Sequence, residues 1–389
     1  MSGIRHSTAA SVKILADRDD EWAVRMAMIE RAQRFLILTT YYFGCDDLSG
    51  TMMDALTAAA LRGVRVVLVL DRFGQRLGQQ ISPRPERALF MGRLRQLRAA
   101  GGCIAYYAPK SLMHRVVGGG MHVKIQVSEA GAAVFGSSNV AHHSFRKWNE
   151  VSLEITGEIV VELLREACRF AAWPAADTAA LLGLLPALSN QENTQPLRYL
   201  SEDPAARTGR FFPFGGLNNR LTAEIVALID RAQHTLSITS FYFKPAPILK
   251  AALLRACRRG VDVEIFHSHR DSLEASPLPW ISSTFQYTSI IEAGGRIYEN
   301  DAGEHSKIVL VDQREVAVGS YNFEHAAHDR LIEAMVFSDD AALCDDFAAF
   351  FASLRRSPSN TVLTHEWISL LPVALRMKRW LYRPLQRWI

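Results

Sequence analysis

The sequence is poor in cysteine, and no two of its cysteines are close enough to form a CxxC motif. The five that it contains lie far apart, at positions 45, 103, 168, 257 and 344. An odd number at such spacings argues against a disulfide framework and against a structural zinc site. Reduced thiols are typical of cytoplasmic proteins.

Long hydrophobic runs are also lacking. The longest, "AALLGLLPAL" from Ala179 to Leu188, contains a proline and is much shorter than the roughly 18 apolar residues that span a bilayer. The opening residues carry no apolar stretch of the kind found in signal peptides. We therefore expect a cytoplasmic protein that associates peripherally with the inner membrane.

The chain as a whole carries little net charge, but residues 355–389 are strongly basic. The net charge of +4 over 389 residues, with 49% hydrophobic and 22% charged residues, is that of an ordinary globular protein. Residues 355–389 alone contribute +6, which leaves −2 for the rest of the chain. Because nucleic-acid binding usually needs basic charge along a groove, this near-neutral body argues against a nucleic-acid partner.

Residues 361–389 are predicted to form a basic amphipathic segment. The stretch "ISLLPVALRMKRWLYRPLQRWI" combines aliphatic residues and tryptophans with five arginines and lysines. Such a segment can lie in the interface of an anionic membrane, where each basic residue contributes about 1 kcal/mol. The alternative is a closing helix that docks on the preceding domain and exposes a basic face.

What the sequence does contain is an internal repeat. "IERAQRFLILTTYYF" from residue 29 is similar to "IDRAQHTLSITSFYF" from residue 229, and "RGVRVVLVLD" from residue 62 is similar to "RGVDVEIFHS" from residue 259. Further on, "HVKIQVSEAGAAVFGSSN" from His122 matches "HSKIVLVDQREVAVGSYN" from His305. Two long copies in the same order indicate a duplicated domain rather than a solenoid.

Each copy alternates helical patterns with apolar runs rich in branched and aromatic residues, and it ends in closely spaced strands. This order predicts an α/β fold in which each copy forms a mixed β-sheet flanked by helices. We place the first domain at residues 12–185 and the second at 216–360. The stretch between them, 186–215, is rich in Pro, Gly, Ser and Asn and is predicted to be a linker.

A set of polar residues keeps the same spacing in both copies, whereas neighbouring positions have diverged. The candidate catalytic residues of this set are His122, Lys124, Glu150, His305, Lys307 and Glu333. The candidate phosphate-binding residues are Ser137, Asn139, Ser320 and Asn322. A lone HxK or GSxN stretch would be weak, since its residues are common in strands and turns. Two complete sets with matched spacing indicate function.

Two such sets facing each other would form a cage for a tetrahedral anion, most naturally phosphate. Imidazole is a nucleophile when neutral and an acid when charged, so one histidine could attack phosphorus while the other protonates the leaving oxygen. Each glutamate could orient a histidine and support its imidazolium form. No carboxylate cluster suggests Mg²⁺ or Ca²⁺, so we expect neither a metal nor another cofactor.

The repeated HxKxxxxD…GSxN pattern resembles that of the phospholipase D superfamily. The second copy fits in full, with Asp312 at the aspartate position, whereas the first copy has Glu129 there. The resemblance implies two α/β domains related by pseudo-twofold symmetry, one shared active site and a phosphohistidine intermediate. It also implies that His122 is the nucleophile, that His305 is the general acid and that Asp312 supports the catalytic set. The symmetry of the sequence alone does not decide between the two histidines.

The chain is most similar to the bacterial cardiolipin synthases that lack transmembrane helices, above all in "ILADRDDEWAVRMAMIERAQRFLILTTYYF" from residue 14. This resemblance implies the transfer of a phosphatidyl group from a phospholipid substrate to the hydroxyl of another phospholipid. Two alternatives stay open: a phospholipase D hydrolase that releases phosphatidic acid, and a nuclease that cleaves nucleic-acid phosphodiesters. The sequence decides neither the acceptor alcohol nor the oligomeric state.

Overall fold

The structure is a computed structural model that describes residues 5–9, 11–187, 195–205, 219–273 and 276–383. Within these ranges the chain forms two mixed β-sheets, and helices pack on both faces of each. The two copies have their elements in the same order along the chain, and their matching strands also lie in the same order in the two sheets. The predicted α/β fold class is therefore confirmed.

The first half forms the smaller sheet. Its strands follow the order β2-β9-β8-β7-β3-β4-β5, in which β3, β4 and β5 are parallel and β7, β8 and β9 are antiparallel. The elements are β1 (Arg5–Ala9), β2 (Ser11–Leu15), α1 (Arg18–Arg31), β3 (Phe35–Thr40), α2 (Asp47–Leu61), β4 (Arg65–Asp71), α3 (Arg72–Ile81), α4 (Arg84–Ala99), β5 (Cys103–Tyr107), α5 (Leu112–Val116), β6 (Gly120–Met121), β7 (Lys124–Ser128), β8 (Ala132–Gly136), α6 (His142–Arg146), β9 (Ser152–Thr156), α7 (Ile159–Phe170) and α8 (Ala175–Leu182).

The second half forms the larger sheet, in the order β1-β10-β16-β15-β14-β11-β12-β13-β17, with β6 paired to β16. The elements are β10 (Gln195–Glu202), α9 (Arg220–Arg231), β11 (Thr235–Ser240), α10 (Pro247–Arg258), β12 (Asp262–Ser268), α11 (Leu278–Glu292), β13 (Arg296–Asn300), β14 (Ile308–Val311), β15 (Glu315–Gly319), α12 (His325–Asp329), β16 (Leu331–Ser338), α13 (Ala341–Arg356), β17 (Asn360–Val362), α14 (Trp367–Leu370) and α15 (Val373–Tyr382).

Part of the stretch predicted as a linker, 186–215, is a strand of the second sheet. Strand β10 pairs antiparallel with β16, as β2 pairs antiparallel with β9 in the first half. The two strands are therefore structural counterparts, although their sequences gave no sign of it. Strand β1, from the first half, pairs with β10 and so ties the start of the described chain to the second sheet. Residues 188–194 and 206–215 of the predicted linker lie outside the described residues.

The two halves share one hydrophobic core. Helices α7 and α13 supply buried residues such as Leu164 and Phe347 to a cluster that also contains strand residues of both sheets, for example Phe35 and Ile308. Outer helices cover the remaining faces and form a separate core in each half. Because burial of this shared layer is favourable, the halves pack as one unit and hold their facing strand ends together.

The repeated Arg-Gly dipeptide that follows α2 and α10 ends each helix as the sequence predicts. Gly63 and Gly260 have φ angles of +89° and +83°, in the left-handed region that glycine adopts without strain. Each chain reversal leads directly into the next parallel strand. Within the ranges that the structure describes, no helix is both long enough and apolar enough to cross a bilayer.

Candidate active site

A pocket of about 310 Å³ lies between the two halves. Both histidines of the repeated motif line it, and so do both asparagines. Its walls are largely aromatic and aliphatic, with residues from α3 on the first-half side and from the segment before α11 on the second-half side. The motif residues come together because each lies at the strand ends that face the other half.

His122 lies in the extended segment between β6 and β7. Its Nδ1 is 3.0 Å from Oε1 of Glu333, which belongs to the second half, and 3.1 Å from the backbone oxygen of Ser320. The edge of the imidazole packs against the ring of Tyr41, with ring centroids 5.0 Å apart. With Nδ1 engaged, Nε2 is the nitrogen left to face a substrate.

His305 lies at the equivalent place before β14. Its Nδ1 is 2.7 Å from Oε2 of Glu150, which belongs to the first half. The ring stacks on Trp148 at a centroid distance of 4.9 Å and an interplanar angle of 22°, and Phe241 packs against it edge to face at 4.6 Å. Each histidine is therefore oriented by the glutamate of the other copy.

Backbone hydrogen bonds between the two halves follow the same crossed pattern as the side chains. The N–H of His122 donates to the oxygen of Ile332 at 2.9 Å, and the N–H of His305 donates to the oxygen of Asn149 at 2.8 Å. Ile332 and Asn149 directly precede the two glutamates. The site thus depends on two equivalent sets of contacts between the halves, and neither half contains a complete histidine–glutamate pair.

The two lysines of the motif are fully buried next to the histidines. The ammonium group of Lys124 donates to the backbone oxygen of His122 at 2.6 Å, and that of Lys307 donates to the backbone oxygen of His305. Burial, together with the charge of Lys307, lowers the pKa of Lys124 well below its ordinary value, while burial lowers the pKa of Lys307 to about 8. The negative charge of a bound anion would favour the protonated form of both lysines, so the pair suits an anion-binding site.

Burial favours the neutral form of both imidazoles. It lowers the pKa of His122 well below the usual range, and the nearby Lys124 and Lys307 ammonium groups lower it further. Burial also lowers the pKa of His305 to about 3, against the opposing effect of the Glu150 carboxylate. A neutral imidazole with a free Nε2 is the nucleophilic form.

The two glutamates differ in their protonation. Burial opposes the ionisation of Glu150, but the His305 ring and the Lys307 ammonium outweigh it and lower the pKa of Glu150 to about 2. Burial prevails at Glu333 and raises its pKa to about 8, despite the opposing Lys124 charge. The His305 side of the pocket therefore holds a permanent carboxylate, which favours an imidazolium there more than on the His122 side.

The motif asparagines and serines have different positions. Asn139 and Asn322 line the pocket. The hydroxyl of Ser137 instead donates to the backbone oxygen of Val151 at 3.1 Å, and that of Ser320 donates to the Glu333 carboxylate. Both serines are fully buried between strands, so their placement supports a role in the sheet and lends no support to their prediction as phosphate ligands.

Asp312 does not line the pocket, and its contacts are with the backbone rather than with the other candidate catalytic residues. It follows β14, at the opposite end of the strand from His305, and its carboxylate accepts the backbone N–H groups of Gln233, His234 and Thr235 at 2.7–2.9 Å. Glu129, its counterpart, accepts the N–H groups of residues 33 and 35 in the same way. Since a strand advances about 3.3 Å per residue, seven residues carry this carboxylate far from the histidine.

Two polar or aromatic pocket residues beside the motifs, Trp148 and Glu324, were missed by the sequence reasoning. Trp148, two residues before Glu150, has Leu331 as its counterpart in the second half. Glu324, two residues after Asn322, pairs with Lys244 at 3.5 Å inside the protein. Each of these positions differs between the copies, and the search for matched residues excluded them for that reason. Among the described residues, no group of three or more His, Cys, Asp or Glu side chains is arranged to hold a metal ion.

Comparisons with known proteins agree with this geometry. The model of the family described as "Cardiolipin synthase, PLD-like domain" matches residues 26–169 and 225–355, that is, both halves. The cardiolipin synthase of Alkalihalophilus pseudofirmus is 24% identical over 330 residues, which cover 82% of this chain and 60% of that protein. Cardiolipin synthase A of Pseudomonas fluorescens is 25% identical over 356 residues, which cover 87% of this chain and 68% of that protein.

Among solved structures, the phosphatidylserine synthase of Haemophilus influenzae has the same fold. The TM-score is 0.75 at 15% identity, with 99% of this chain and 96% of that chain covered. The chain spans about 60% of the length of the first curated relative that it matches. Because the family model covers both motif-bearing halves, the chain belongs to the cardiolipin synthase family of phospholipase D-like proteins.

Proposed function

We propose that this protein is a phosphatidyltransferase of the cardiolipin synthase type that acts through a phosphohistidine intermediate. The observation that carries the proposal is the exchanged pair of contacts, His122 with Glu333 and His305 with Glu150, around one pocket. Two imidazoles held in this way, one neutral as the nucleophile and one protonated as the acid, suit a double displacement at phosphorus better than a single attack by water.

His122 is the proposed nucleophile. Its Nε2 forms a bond to phosphorus as the bond from phosphorus to the oxygen of the leaving alcohol breaks. His305, as an imidazolium, gives its proton to that oxygen. In the second displacement the hydroxyl of the acceptor returns a proton to His305, its oxygen bonds to phosphorus, and the N–P bond breaks, which restores both side chains.

The assignment of roles rests on the unequal charges around the two rings. Both lysines oppose protonation of both rings. At His305 the Glu150 carboxylate has a larger effect than either lysine and favours protonation, whereas at His122 the largest charge effects are those of the two lysines. Lys124, Lys307 and the two asparagines are the proposed stabilisers of charge on the phosphoryl oxygens. The two lysines are held in place by their hydrogen bonds to the backbone oxygens of His122 and His305.

A lipid substrate fits the walls of the pocket better than a nucleic acid. Aromatic and aliphatic residues such as Leu77, Ile81 and Leu273 line it beside the histidines. A glycerophospholipid offers an anionic phosphodiester joined to an apolar body, which matches this combination. The cardiolipin synthases that the chain resembles are named for a lipid product.

Attachment to an anionic membrane through the C-terminal segment, at the cytoplasmic face of the inner membrane, is part of this proposal. Trp367 is buried in the second-half core, and Arg379 of α15 donates to Thr284 of α11, so the described part of the segment docks on the protein along one side. Its other side exposes Trp380 at 78% and Met377 at 68%. This exposed face is the part that would enter the membrane interface. Residues 384–389 lie outside the described residues.

The test is turnover of phosphatidylglycerol vesicles, with single-stranded DNA in a parallel reaction. Cardiolipin and glycerol as products support the transferase, phosphatidic acid supports a hydrolase, and nicked DNA without lipid turnover supports a nuclease. His122→Ala and His305→Ala are each expected to abolish turnover. Full activity in either variant would contradict the proposal, and acid-sensitive phosphate on His122, trapped by rapid quenching, would support the intermediate.

A further inference from the structure

The pocket holds one carboxylate that the proposed mechanism does not use, and it lies on the second-half side only. Glu324 lines the pocket and is nearly buried, with 5% of its surface exposed. Lys244 approaches its Oε2 at 3.5 Å, and the side-chain amide of Asn322 donates to its Oε1 at 3.4 Å. The first-half counterparts of Glu324 and Lys244 are Ala141 and Gly44, which carry no charge.

A buried carboxylate beside a phosphodiester site requires a specific explanation. Two anions repel each other in a medium of low dielectric constant, so Glu324 is not placed to bind the phosphate. Its charge acts on the reaction centre, since it opposes the lowered pKa of His122 and, after burial, is the cause of the raised pKa of Tyr242. An ionised carboxylate accepts up to about four hydrogen bonds and donates none. The chemical partner that suits its remaining lone pairs is a neutral hydroxyl group.

We propose that Glu324, held by Lys244 and Asn322, binds the hydroxyl groups of the head-group alcohol and so selects which alcohol is exchanged at phosphorus. This inference rests on the proposed phosphatidyl transfer and assigns the residue that gives it head-group specificity. A vicinal diol can donate two hydrogen bonds to one carboxylate. A site built to bind hydroxyls discriminates strongly against an alcohol that lacks them, because its polar group is then left unpaired.

The experiment makes two alcohols compete for the same intermediate. Full-length protein is incubated with phosphatidylglycerol vesicles and equal concentrations of deuterated glycerol and deuterated ethanol, and the labelled lipids are measured by mass spectrometry. Glu324→Gln removes the charge but keeps the size of the side chain. We expect the ratio of labelled phosphatidylglycerol to phosphatidylethanol to fall about tenfold in this variant. Glu315→Gln, at a half-buried carboxylate that pairs with Arg231 at the start of β15, is the matched control and should keep the wild-type ratio.

The outcomes separate this inference from the function on which it rests. If the wild-type protein turns over no lipid, the proposed function fails and the head-group site fails with it. If lipid is turned over but the ratio in Glu324→Gln stays within twofold of wild type, only the head-group site is refuted. A comparison that needs no variant uses propan-1-ol, which has the carbon chain of glycerol but one hydroxyl. Equal transfer to glycerol and propan-1-ol by the wild-type protein would also overturn the inference.

A second inference comes from a surface of the first half beside the pocket. Between residues 72 and 116, a stretch that includes α3, α4 and α5, the chain has nine arginines and lysines against one acidic residue. Large apolar side chains are exposed on α3 and α5, among them Leu112 at 70% and Val116 at 71%. A Cβ on Gly118 would lie 3.1 Å from the ring of Phe73, which places the turn after α5 against α3. We call the exposed surface of α3 and α5 the mouth patch.

The mouth patch is continuous with the pocket, because Leu77 and Ile81 of α3 are exposed and also line the pocket wall. Exposed apolar groups flanked by arginines match the interface of an anionic bilayer, in which aliphatic side chains enter the acyl boundary and cations contact head groups. We infer that the mouth patch docks on an anionic bilayer, so that a lipid passes from the membrane along α3 to the histidines. Exposed aliphatic residues have no role in binding a nucleic-acid backbone.

Sedimentation with vesicles tests this surface. The double variants Arg72→Glu/Arg76→Glu and Leu112→Ser/Val116→Ser are compared with the wild-type protein on vesicles of equal parts phosphatidylglycerol and phosphatidylcholine. The control is Arg258→Glu/Arg314→Glu, two exposed arginines at the end of the second sheet that lies away from His305. We expect binding to fall at least tenfold in both patch variants, to fall less than twofold in the control, and to weaken with added salt.

Three results would overturn the assignment. Patch variants that bind vesicles like the wild-type protein would remove the patch from membrane binding. Equal binding of the wild-type protein to pure phosphatidylcholine would exclude recognition of anionic lipid. Binding to single-stranded DNA that exceeds vesicle binding, and that the same variants abolish, would assign the patch to nucleic acid. Thermal unfolding of each variant confirms that the protein tested is folded.

Discussion

The Glu150→Gln substitution tests the negative charge that favours the protonated form of His305. The glutamine oxygen can still accept the Nδ1–H hydrogen bond, which is 2.7 Å long in the wild-type protein, so orientation is kept while the negative charge is lost. At about 4 Å and an effective dielectric constant of about 20, a carboxylate and an imidazolium attract each other by about 4 kcal/mol. If half to three-quarters of this survives in the transition state, the rate falls roughly 30- to 200-fold.

The assay compares two leaving groups. The natural leaving alcohol needs a proton from His305, whereas p-nitrophenolate leaves without one. Glu150→Gln and His305→Ala should therefore lose far more activity on phosphatidylglycerol than on a p-nitrophenyl phosphodiester, while His122→Ala should lose activity on both. Glu315→Gln serves as the control for a carboxylate outside the pocket.

Three results would refute this reasoning in whole or in part. A loss of less than threefold in Glu150→Gln on phosphatidylglycerol would show that the carboxylate does not support an imidazolium. An equal loss on both substrates would show that Glu150 acts on a step other than protonation of the leaving group. A stronger loss on the activated substrate in His305→Ala than in His122→Ala would reverse the two roles.

Three further predictions concern stability. Gly136→Ala should lower the free energy of unfolding by about 3 kcal/mol in urea titrations, because its Cβ would lie 2.4 Å from a backbone carbon of the next strand. The control is Gly92→Ala in α4, where a Cβ would have nothing within 4 Å, and it should be neutral or slightly stabilising. Burial raises the pKa of Asp71 to about 7 from 3.8, so the folded state binds a proton that the unfolded state has lost, and stability falls as pH rises from about 4 to 7. Asp71→Asn should make this dependence of stability on pH shallower. An unchanged dependence would contradict the assignment. Asp312→Ala loses three backbone contacts and should cost about 2 kcal/mol of stability while the folded protein keeps its turnover; loss of turnover without loss of stability would return Asp312 to the catalytic set.

The sequence allowed the chemical groups of the site to be named, but not all of their positions. Matched spacing identified both histidines, both lysines and both glutamates, because a duplicated chain that diverges elsewhere shows which positions are constrained. The same criterion grouped Ser137 and Ser320 with them, since constraint by the sheet and constraint by chemistry leave the same pattern. Asp312 was added by the family resemblance and not by matched spacing. It also passed over Trp148 and Glu324, at which the two halves differ.

Local charge was a second signal in the sequence, and the net charge of the whole body concealed it. The chain outside the basic end sums to −2, yet residues 72–116 carry nine cations and one acid. Summing over the body cancelled this excess against acidic residues elsewhere. Only the placement of α3 beside the pocket gives the local excess a meaning, because the same charges on the opposite face would not meet a substrate.

The amino-acid sequence by itself determined the duplication, the α/β elements of each copy and the residue types of the reaction, because periodicity and matched spacing are properties of the chain. The tertiary structure alone decided which glutamate serves which histidine. His122 and Glu333 are 211 positions apart, and His305 and Glu150 are 155 apart. These contacts exist because burial of a shared core brings the strand ends of the two halves together, and such packing across hundreds of residues leaves no local pattern in the sequence.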